Sequence, residues 1–323
     1  MISIIRLKPI FKSTLIVIVL LSYISCTSPT ETTLDFTSPP MIPLHDIDAV
    51  WSPDGLQIAY SHSSKIPAGY FGIKLLSVEN LATTELGVNG EFPAWSPDSK
   101  MLAINNLTSF QLSTIDLESY STINIPTIPL NFLYPSWYPS GDSLLSSVNS
   151  GSTSERGLWT IHISTGYSRC LLSANVVDPT WNSREDTILF IEWVDDIQYL
   201  SLVSYPSISV ERITKSDDYY SILDRKPAIH PYFGNPSFHP NDTSLLFHTT
   251  ALNNHEASIW IYDISTKNIS LVFSGGLCPS WNLKGDILVY TKSVVYGANT
   301  SGNGYLWLYD TKSNQHTQIT FHN

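Results

Sequence analysis

Four histidines that lie close together in the sequence have the clearest capacity for metal chemistry. Of the nine histidines in the chain, His230, His239, His248 and His255 all fall within residues 230–255. Imidazole nitrogen is a common ligand for zinc, copper, iron and manganese. His239 falls in a predicted turn and His248 on the strand beyond it, so the spacing does not require convergence. We predict no metal and no other cofactor. These histidines are expected to lie at the surface or between sheets. The alternative is a metal site, for which His230, His239 and His248 are the candidate ligands.

Motifs for covalent and nucleotide chemistry are absent from the sequence. It contains no G-x-S-x-G, no P-loop, no H-E-x-x-H, no C-x-x-C, and no G-x-G-x-x-G between a strand and a helix. No α/β-hydrolase domain, which would carry a Ser-His-Asp triad, is expected in the chain. We therefore predict no catalytic residues, and serine hydrolysis is disfavoured.

An aromatic residue recurs at intervals of about 43 residues. The six positions are Trp51, Trp95, Trp137, Trp181, Phe238 and Trp281, with spacings of 44, 42, 44, 57 and 43 residues. Turn-forming residues follow each aromatic residue, as in WSPDG at residues 51–55, and an apolar stretch follows the turn. This period is typical of one propeller blade. The sequence therefore predicts an all-β fold, a six-bladed β-propeller of four-stranded antiparallel blades, with each aromatic ring between neighbouring sheets.

The repeat also sets the expected division of the chain. The predicted blades span about residues 45–88, 89–128, 131–173, 175–214, 233–273 and 275–321, within a propeller at 45–323 and with an insertion at 215–232. The last blade has its own outer strand, at residues 316–321, so ring closure does not require strand exchange between the termini. A strand at residues 34–36 that adds to a sheet edge is the alternative.

Equivalent positions in the six repeats form the best candidate ligand site. Three residues before each aromatic residue lie Asp48, Phe92, Tyr134, Asp178, Asn235 and Cys278, and Glu91 lies one position earlier in its repeat. The first strand of a blade faces the axis, so we expect these residues to surround one level of the channel. Carboxylates in a narrow channel attract a cation, an amine or a basic peptide segment. The alternative is that they solvate the channel or cap backbone groups. The predicted binding residues are Asp48, Glu91, Tyr134, Asp178 and Asn235.

The repeat resembles a known family. The pattern P-x-W-S-P-D-G, with an apolar strand and then an aromatic strand ending in Tyr-Asp, is similar to the PD40, or WD40-like, repeat of TolB-type six-bladed propellers. The sequences AVWSPDG at 49–55 and PAWSPDS at 93–99 carry the likeness, and later units keep only the turn-forming residues. The resemblance covers about residues 45–323. It implies the propeller alone, because the family's N-terminal α/β domain has no counterpart here, and it implies no role in the Tol–Pal system.

The N-terminal residues predict export. Arg6, Lys8 and Lys12 precede an apolar run at 15–21, an order typical of a secretory signal and too short to span a bilayer alone. Ser25-Cys26 at its end resembles the lipobox of bacterial lipoproteins, in which the cysteine is acylated; simple cleavage and an uncleaved anchor are the alternatives. We predict a signal peptide at 1–25, lipidation at Cys26 and a Ser/Thr/Pro-rich tether at 26–44. The predicted location is a bacterial membrane, facing the periplasm or the outside.

Composition disfavours two classes of protein. Seventeen Lys+Arg against 28 Asp+Glu give a net charge of −11, which disfavours nucleic-acid binding because such binding depends on cations. With 42% hydrophobic and 14% charged residues, wholesale disorder is also disfavoured. The repeat places Cys170 and Cys278 on separate blades, too far apart for a disulfide.

Two loops are candidate recognition surfaces. The longer one, residues 215–234, contains Tyr219, Tyr220, Tyr232 and Phe233, and aromatic residues are enriched at binding interfaces. The second, residues 293–304, is rich in Gly and Asn. The alternative for each is a loop without a binding role.

These observations predict a non-catalytic module that binds a ligand or a protein, or acts as a scaffold, at the bacterial cell envelope. The expected partner is an envelope protein or peptide, or else a saccharide, and the membrane is contacted only through the lipid anchor. The alternative is a propeller-type polysaccharide lyase or hydrolase with histidine and carboxylate groups at the channel mouth.

Overall fold

Antiparallel β-strands make up the regular structure of the chain. The computed structural model describes residues 45–63, 71–149, 151–152, 154–216, 218, 232–250, 257–295 and 301–321, and these contain 23 strands. The predicted signal peptide, Cys26, the tether and the strand at 34–36 lie outside the described residues. Within the described ranges, no helix has the length and apolar character needed to cross a membrane.

The strands follow one another in a regular order. The first twelve are β1 (Asp46–Trp51), β2 (Gln57–Ser63), β3 (Phe71–Ser77), β4 (Thr83–Trp95), β5 (Met101–Asn106), β6 (Gln111–Asp116), β7 (Thr122–Asn124), β8 (Phe132–Trp137), β9 (Ser143–Val148), β10 (Gly157–His162), β11 (Ser168–Leu172) and β12 (Val176–Trp181). The others are β13 (Thr187–Val194), β14 (Ile197–Ser204), β15 (Ser209–Lys215), β16 (Tyr232–Phe238), β17 (Ser244–Thr250), β18 (Ser258–Asp263), β19 (Ile269–Ser274), β20 (Leu277–Trp281), β21 (Ile287–Val295), β22 (Ser301–Asp310) and β23 (Gln315–Gln318).

Each repeat forms four antiparallel strands paired in chain order. The sheets β8–β11, β12–β15, β16–β19 and β20–β23 each have four strands, whereas β1–β7 form one seven-stranded sheet. The long strand β4 explains the larger sheet, because its first half pairs with β3 and its second half pairs with β5. The all-β propeller fold is confirmed, and the strand order is consistent with six four-stranded units that share β4 between the first two.

The first strand of each unit contacts the first strands of both neighbours. The contacts run from β1 to β4, β8, β12, β16 and β20, and β20 returns to β1. Across this last junction, the Thr291 hydroxyl donates to the Asp46 carbonyl over 2.8 Å. All four strands of the last sheet come from one repeat, and at this junction His45 also forms a single parallel β-bridge with Gly304 of β22. These six inner strands surround an axial channel.

The apolar core lies between neighbouring sheets. Trp95 shares a cluster with Ile73 and Leu75 of the preceding unit, and Trp181 shares one with Leu145 and Leu158. Each ring therefore fills the space between two sheets, as predicted, and removes a large apolar area from water.

Two of these tryptophans differ in one hydrogen bond. Trp137 Nε1 donates to the Ala94 carbonyl over 2.9 Å, whereas the buried Trp181 Nε1 has no hydrogen-bond partner. Both side chains are 7% exposed, so their packing losses on truncation should be similar. We expect Trp137→Phe to lower the free energy of unfolding by about 1 kcal/mol more than Trp181→Phe, since only the first loses a hydrogen bond. Urea denaturation of both variants measures the difference, and equal losses would contradict the assignment.

Candidate functional site

Each of the six inner strands bends at the same position. The pairing register shifts between Ile47 and Val50 in β1, and an equivalent β-bulge occurs in the other five inner strands. In every bulge the residue three before the aromatic position has a positive φ; the values are 54° for Asp48, 54° for Phe92, 55° for Tyr134, 51° for Asp178, 46° for Asn235 and 50° for Cys278. A bulge redirects a side chain relative to a regular strand. The fold therefore gives six equivalent residues one unusual orientation.

Proline explains why the bulge recurs at this place. In five of the six strands the residue after the positive-φ position is proline; these are Pro93, Pro135, Pro179, Pro236 and Pro279. Proline has no N–H to donate to a sheet, so it is tolerated within strands mainly at bulges or edges. A positive φ costs a non-glycine residue about 1 kcal/mol or more, and such strain persists where the surrounding structure enforces it.

Three polar residues on the axis are linked directly. The Asn235 backbone N–H donates to Asp178 Oδ2 over 3.2 Å, and Asn235 Nδ2 approaches Asp48 Oδ1 at 3.4 Å. Asp48 is 8% exposed. Asn235 thus bridges two carboxylates from blades one and four. Cys278 completes the polar side through a side-chain hydrogen bond with Asp48.

The opposite side of the ring is aromatic. The rings of Phe92 and Tyr134 lie with their centroids 4.4 Å apart and their planes inclined by 51°. Burial and the nearby negative charges of Asp178, Asp48 and Glu91 hold the pKa of Tyr134 well above its usual range. Tyr134 is therefore a neutral hydroxyl at physiological pH.

Two carboxyl groups of the ring, those of Asp48 and Glu91, resist ionisation. Burial, and then the charge of Asp178, raises the pKa of Asp48 to about 6 despite hydrogen bonds from Asn235 and Cys278. Burial, and then the charge of Asp48, raises the pKa of Glu91 to about 7. Burial also raises the pKa of the Cys278 thiol well above its usual range. Asp48 and Glu91 therefore exchange protons near neutral pH.

These residues form the floor of a cavity of about 580 Å³. The floor consists of Asp48, Phe92, Tyr134, Asp178 and Asn235. The wall consists mainly of the bulge prolines and of the aromatic residues at the ends of the inner strands, including Trp51, Trp95 and Trp137. The mouth lies at the turns between first and second strands, with Pro53, Pro97, Pro139 and Pro240. We name this space the axial cavity. Its volume lies within the range of small-molecule sites.

Four of the five predicted binding residues line the axial cavity. Asp48, Tyr134, Asp178 and Asn235 are on its floor, whereas Glu91 precedes the floor position on β4 and does not line it. Glu91 still interacts electrostatically with Asp48 and Tyr134. The sequence therefore identified the floor, although not the bulge that directs its side chains.

Polar side chains on second and third strands hold the inner strands in place, and the sequence analysis did not identify this role. Asn105 Nδ2 donates to the Phe132 carbonyl over 2.6 Å, and Asn105 Oδ1 accepts the Tyr134 N–H at 3.1 Å. Gln198 Oε1 accepts the Phe233 N–H at 2.6 Å. The available signal was a polar residue inside an apolar strand, as in LAIN at residues 102–105.

His248 has the same structural role and not the geometry of a metal ligand. Its Nδ1 accepts the Cys278 N–H at 3.3 Å, and it also bonds to the Gly234 backbone. Burial lowers the pKa of His248 to about 4. His239 instead contacts Asn241 Oδ1 at 2.6 Å and the Gly285 carbonyl at 3.1 Å. His230 and His255 lie outside the described residues. Among the residues that the structure describes, no three His, Cys, Asp or Glu side chains are grouped to hold a metal ion.

Phe233, which the sequence predicted as part of a recognition loop, is buried, so its prediction as a surface contact is wrong. Phe233 is 5% exposed and meets Phe247 edge to face, with centroids 5.4 Å apart. Its place in the repeat explains this burial, because Phe132 and Val176 hold the equivalent positions and are also buried. Tyr232 is partly buried beside Trp193, at 5.4 Å. Tyr219 and Tyr220 lie outside the described residues, as does most of the insertion. Cys170 and Cys278 are free thiols, as expected.

Solved structures share this fold. TolB from Acinetobacter baumannii matches with a TM-score of 0.65 and 17% identity, over 82% of this chain and 63% of that chain. The putative TolB from Agrobacterium tumefaciens matches with a TM-score of 0.62 and 15% identity, over 77% of this chain and 88% of that chain. Oligogalacturonate lyase from Vibrio parahaemolyticus matches with a TM-score of 0.55 and 15% identity, over 88% of this chain and 81% of that chain.

At these identities the matches establish a TolB-like β-propeller fold and nothing finer. The chain spans less than two thirds of the length of the Acinetobacter TolB. No protein-family model matches the chain, and no curated protein sequence matches it.

Proposed function

We propose that the protein is a non-catalytic binding module of the bacterial cell envelope and that the axial cavity is its binding site. The observation that carries the proposal is the convergence of equivalent residues from the inner strands on the floor of one cavity of about 580 Å³. A cavity of this size, with a few convergent polar groups and perturbed pKa values, is where a ligand is first expected to bind in a protein.

The ionisation behaviour of Asp48 on the floor, and of Glu91 beside the floor, supports a function beyond stability. Burial disfavours the charged form of Asp48 and Glu91, so each lowers the stability of the folded protein when it ionises. A neutral amide at either position would avoid this cost. Residues that oppose folding in this way are expected at functional sites.

The envelope location rests on the N-terminal residues. The cationic residues before the apolar run at 15–21 support export, and Ser25-Cys26 supports acylation of Cys26. The tether at 26–44 then separates the propeller from the membrane. The partner is an envelope protein or peptide, or else a saccharide, that reaches the mouth of the cavity.

A second candidate is a polysaccharide lyase or hydrolase. The observation that favours it is that His239 and Asp242 both line the mouth of the axial cavity. Their hydrogen bonds weigh against it, because Asp242 already accepts bonds from the Ser183 N–H and hydroxyl, and His239 contacts Gly285. Release of unsaturated or reducing saccharide products by the purified protein would support this candidate instead.

Photocrosslinking in intact cells tests the proposed site. A photoreactive residue in place of Pro240, which is exposed at the mouth, is expected to capture an envelope partner. The matched control is the same residue in place of Ile123, which is 63% exposed on the outer strand β7. Equal adducts from Pro240 and Ile123, or an adduct from Ile123 alone, would contradict binding at the cavity.

The lipid anchor has a separate test. Cys26→Ala is expected to move the protein from the membrane fraction to the soluble fraction.

A further inference from the structure

Two sets of turns share the face of the propeller that carries the mouth of the axial cavity. In every blade, the turn between the third and fourth strands bonds to the turn between the first and second. In blade one the Val78 N–H donates to the Leu56 carbonyl over 3.0 Å, and in blade three the Ile163 N–H donates to the Asp142 carbonyl over 3.1 Å. We name the surface formed by these turns the mouth face.

Large apolar side chains are exposed on one half of the mouth face. Leu56, Leu81, Tyr120 and Tyr167 lie on the turns of blades one to three and are between 43% and 69% exposed. The corresponding turns of blades four to six, all of which the structure describes, expose Leu283 alone among large apolar residues. Single exposed apolar side chains are ordinary, whereas grouped ones mark interaction surfaces.

Two of these apolar residues adopt an unfavourable backbone conformation. Leu81 and Tyr120 each have a φ of 57°, in the left-handed region that Gly166 and Asn314 occupy in the equivalent turns of blades three and six. This conformation costs a residue other than glycine about 1 kcal/mol or more. Because both side chains are exposed, burial does not offset the cost. Residues that break a local rule without a structural gain are expected at functional sites.

The same half of the mouth face is acidic. The turns of blades one to three carry one cation, Lys100, and five acidic residues, which are Asp54, Glu79, Asp98, Glu118 and Asp142. On blades four to six, acidic groups are paired, as when Lys312 meets Asp286 at 2.8 Å. No described cation lies within ion-pair distance of Glu79, Glu118 or Asp142. A partner that complements this half carries cationic and apolar side chains.

A crevice of about 220 Å³ opens between blades two and three on this half. Its apolar lining consists of Met101, Trp137 and Ile163, and Asp142 and Ser164 also line it. Small-molecule sites usually exceed about 300 Å³, so the crevice suits a single side chain. Trp137 also lines the axial cavity, so the two spaces share a wall.

We propose that the mouth face of blades one to three docks a basic, amphipathic segment of the envelope partner. One apolar side chain of the segment fills the crevice, and its Lys or Arg side chains face Glu79, Glu118 and Asp142. A second copy of this chain does not match the surface, because its net charge is −11. This inference rests on the proposed function, since the surface adjoins the axial cavity, and it specifies the chemistry of the partner.

Fluorescence anisotropy of the full-length protein tests the inference with defined peptides. We expect saturable binding of a labelled peptide of lysine, leucine and tryptophan. The same peptide with glutamate in place of every lysine should not bind, and a peptide with serine in place of leucine and tryptophan should bind at least tenfold more weakly.

Charge variants locate the binding surface. Glu79→Gln, Glu118→Gln and Asp142→Asn should each weaken binding of the lysine peptide about threefold, because each removes one exposed charge that faces it. Asp196→Asn makes the same change of charge at an exposed turn between second and third strands, on the face opposite the mouth, and should leave binding unchanged.

A bulky side chain at the crevice tests the apolar contact separately. Ser164 is exposed at the edge of the crevice, so Ser164→Trp should block it and weaken peptide binding about tenfold. Ser207→Trp places the same ring on the equivalent turn of blade four and should have no effect.

Each other outcome counts against the inference. Equal binding of the glutamate peptide, unchanged affinity in all three charge variants, equal effects of Ser164→Trp and Ser207→Trp, or no peptide binding at millimolar concentration would overturn it. Self-association that Ser164→Trp abolishes would assign the surface to a second copy and overturn it too. Ile123 lies outside this surface, on the outermost strand β7. A crosslinked partner from the Pro240 position without peptide binding would leave the proposed function standing and this inference refuted.

Discussion

Asp48→Asn is expected to raise the free energy of unfolding at pH 8 by about 3 kcal/mol. Burial raises the pKa of Asp48 from its ordinary 3.8 to about 6 in the folded protein, so ionisation at pH 8 opposes folding. The difference of about two pKa units corresponds to about 3 kcal/mol. The unmodified protein loses this much of its free energy of unfolding as the pH rises from about 4 to 6, and Asp48→Asn avoids the loss. Asparagine stays neutral and keeps an acceptor for Asn235. Urea denaturation between pH 4 and pH 8 measures the gain.

The same variant separates stability from binding. At pH 4 both proteins carry a neutral side chain at position 48, so their stabilities should converge. Glu118→Gln makes the same change of charge at an exposed position and should alter stability little. If Asp48→Asn lowered stability at pH 8, Asp48 would be a structural residue and the case for a ligand at the floor would fail.

His248→Gln is expected to remove about 3 kcal/mol of pH-dependent stability. Burial lowers the pKa of His248 from 6.5 to about 4, so the neutral imidazole favours folding above pH 6.5. This contribution is lost as the pH falls from 6.5 to 4, because the unfolded chain binds the proton more readily. Glutamine does not titrate and can accept the Cys278 N–H. Unfolding curves of both proteins at pH 4.5 and pH 7 measure the difference.

The two effects oppose each other in the unmodified protein. Between pH 4 and pH 6.5, Asp48 destabilises the fold as the pH rises whereas His248 stabilises it, so a shallow pH dependence is expected from this pair. In Asp48→Asn the free energy of unfolding should rise with pH, because only the effect of His248 remains. In His248→Gln it should fall with pH, because only the effect of Asp48 remains. Identical pH profiles for His248→Gln and the unmodified protein would contradict the burial of a neutral imidazole.

The spacing of the aromatic residues was enough to predict the ring. Each four-stranded sheet with short loops uses a similar length of chain, so the similar spacings of Trp51, Trp95 and Trp137 indicate one buried aromatic residue per sheet. The positions three residues earlier follow by alignment, which is why the sequence predicts Asp48, Tyr134, Asp178 and Asn235 at one level of the channel. Glu91 was placed one step from the floor for the same reason.

The conformation of the floor was not predicted. The proline after every floor residue except Asp48, as in Pro93 and Pro135, was a usable signal, because proline inside a strand indicates a bulge or an edge. The raised pKa values had no local signal. They arise from burial and from charges that meet only when the ring closes, as with Asp48 and Asp178, which are 130 residues apart.

Phe233 illustrates the limit of reading loops by composition. Its neighbours resemble a recognition loop, but its repeat position is that of Phe132 and Val176, which are buried. Repeat alignment was the better guide at this position. The bonds from Asn105 and Gln198 to neighbouring inner strands likewise depend on contacts between blades, which the sequence of one repeat does not specify.

Photocrosslinking from the mouth of the axial cavity tests the central claim most directly. With a photoreactive residue in place of Pro240 we expect an adduct with an envelope partner, and with the same residue in place of the exposed Ile123 we expect none. Equal adducts from both positions, or an adduct from Ile123 alone, would contradict the assignment of the axial cavity as a binding site.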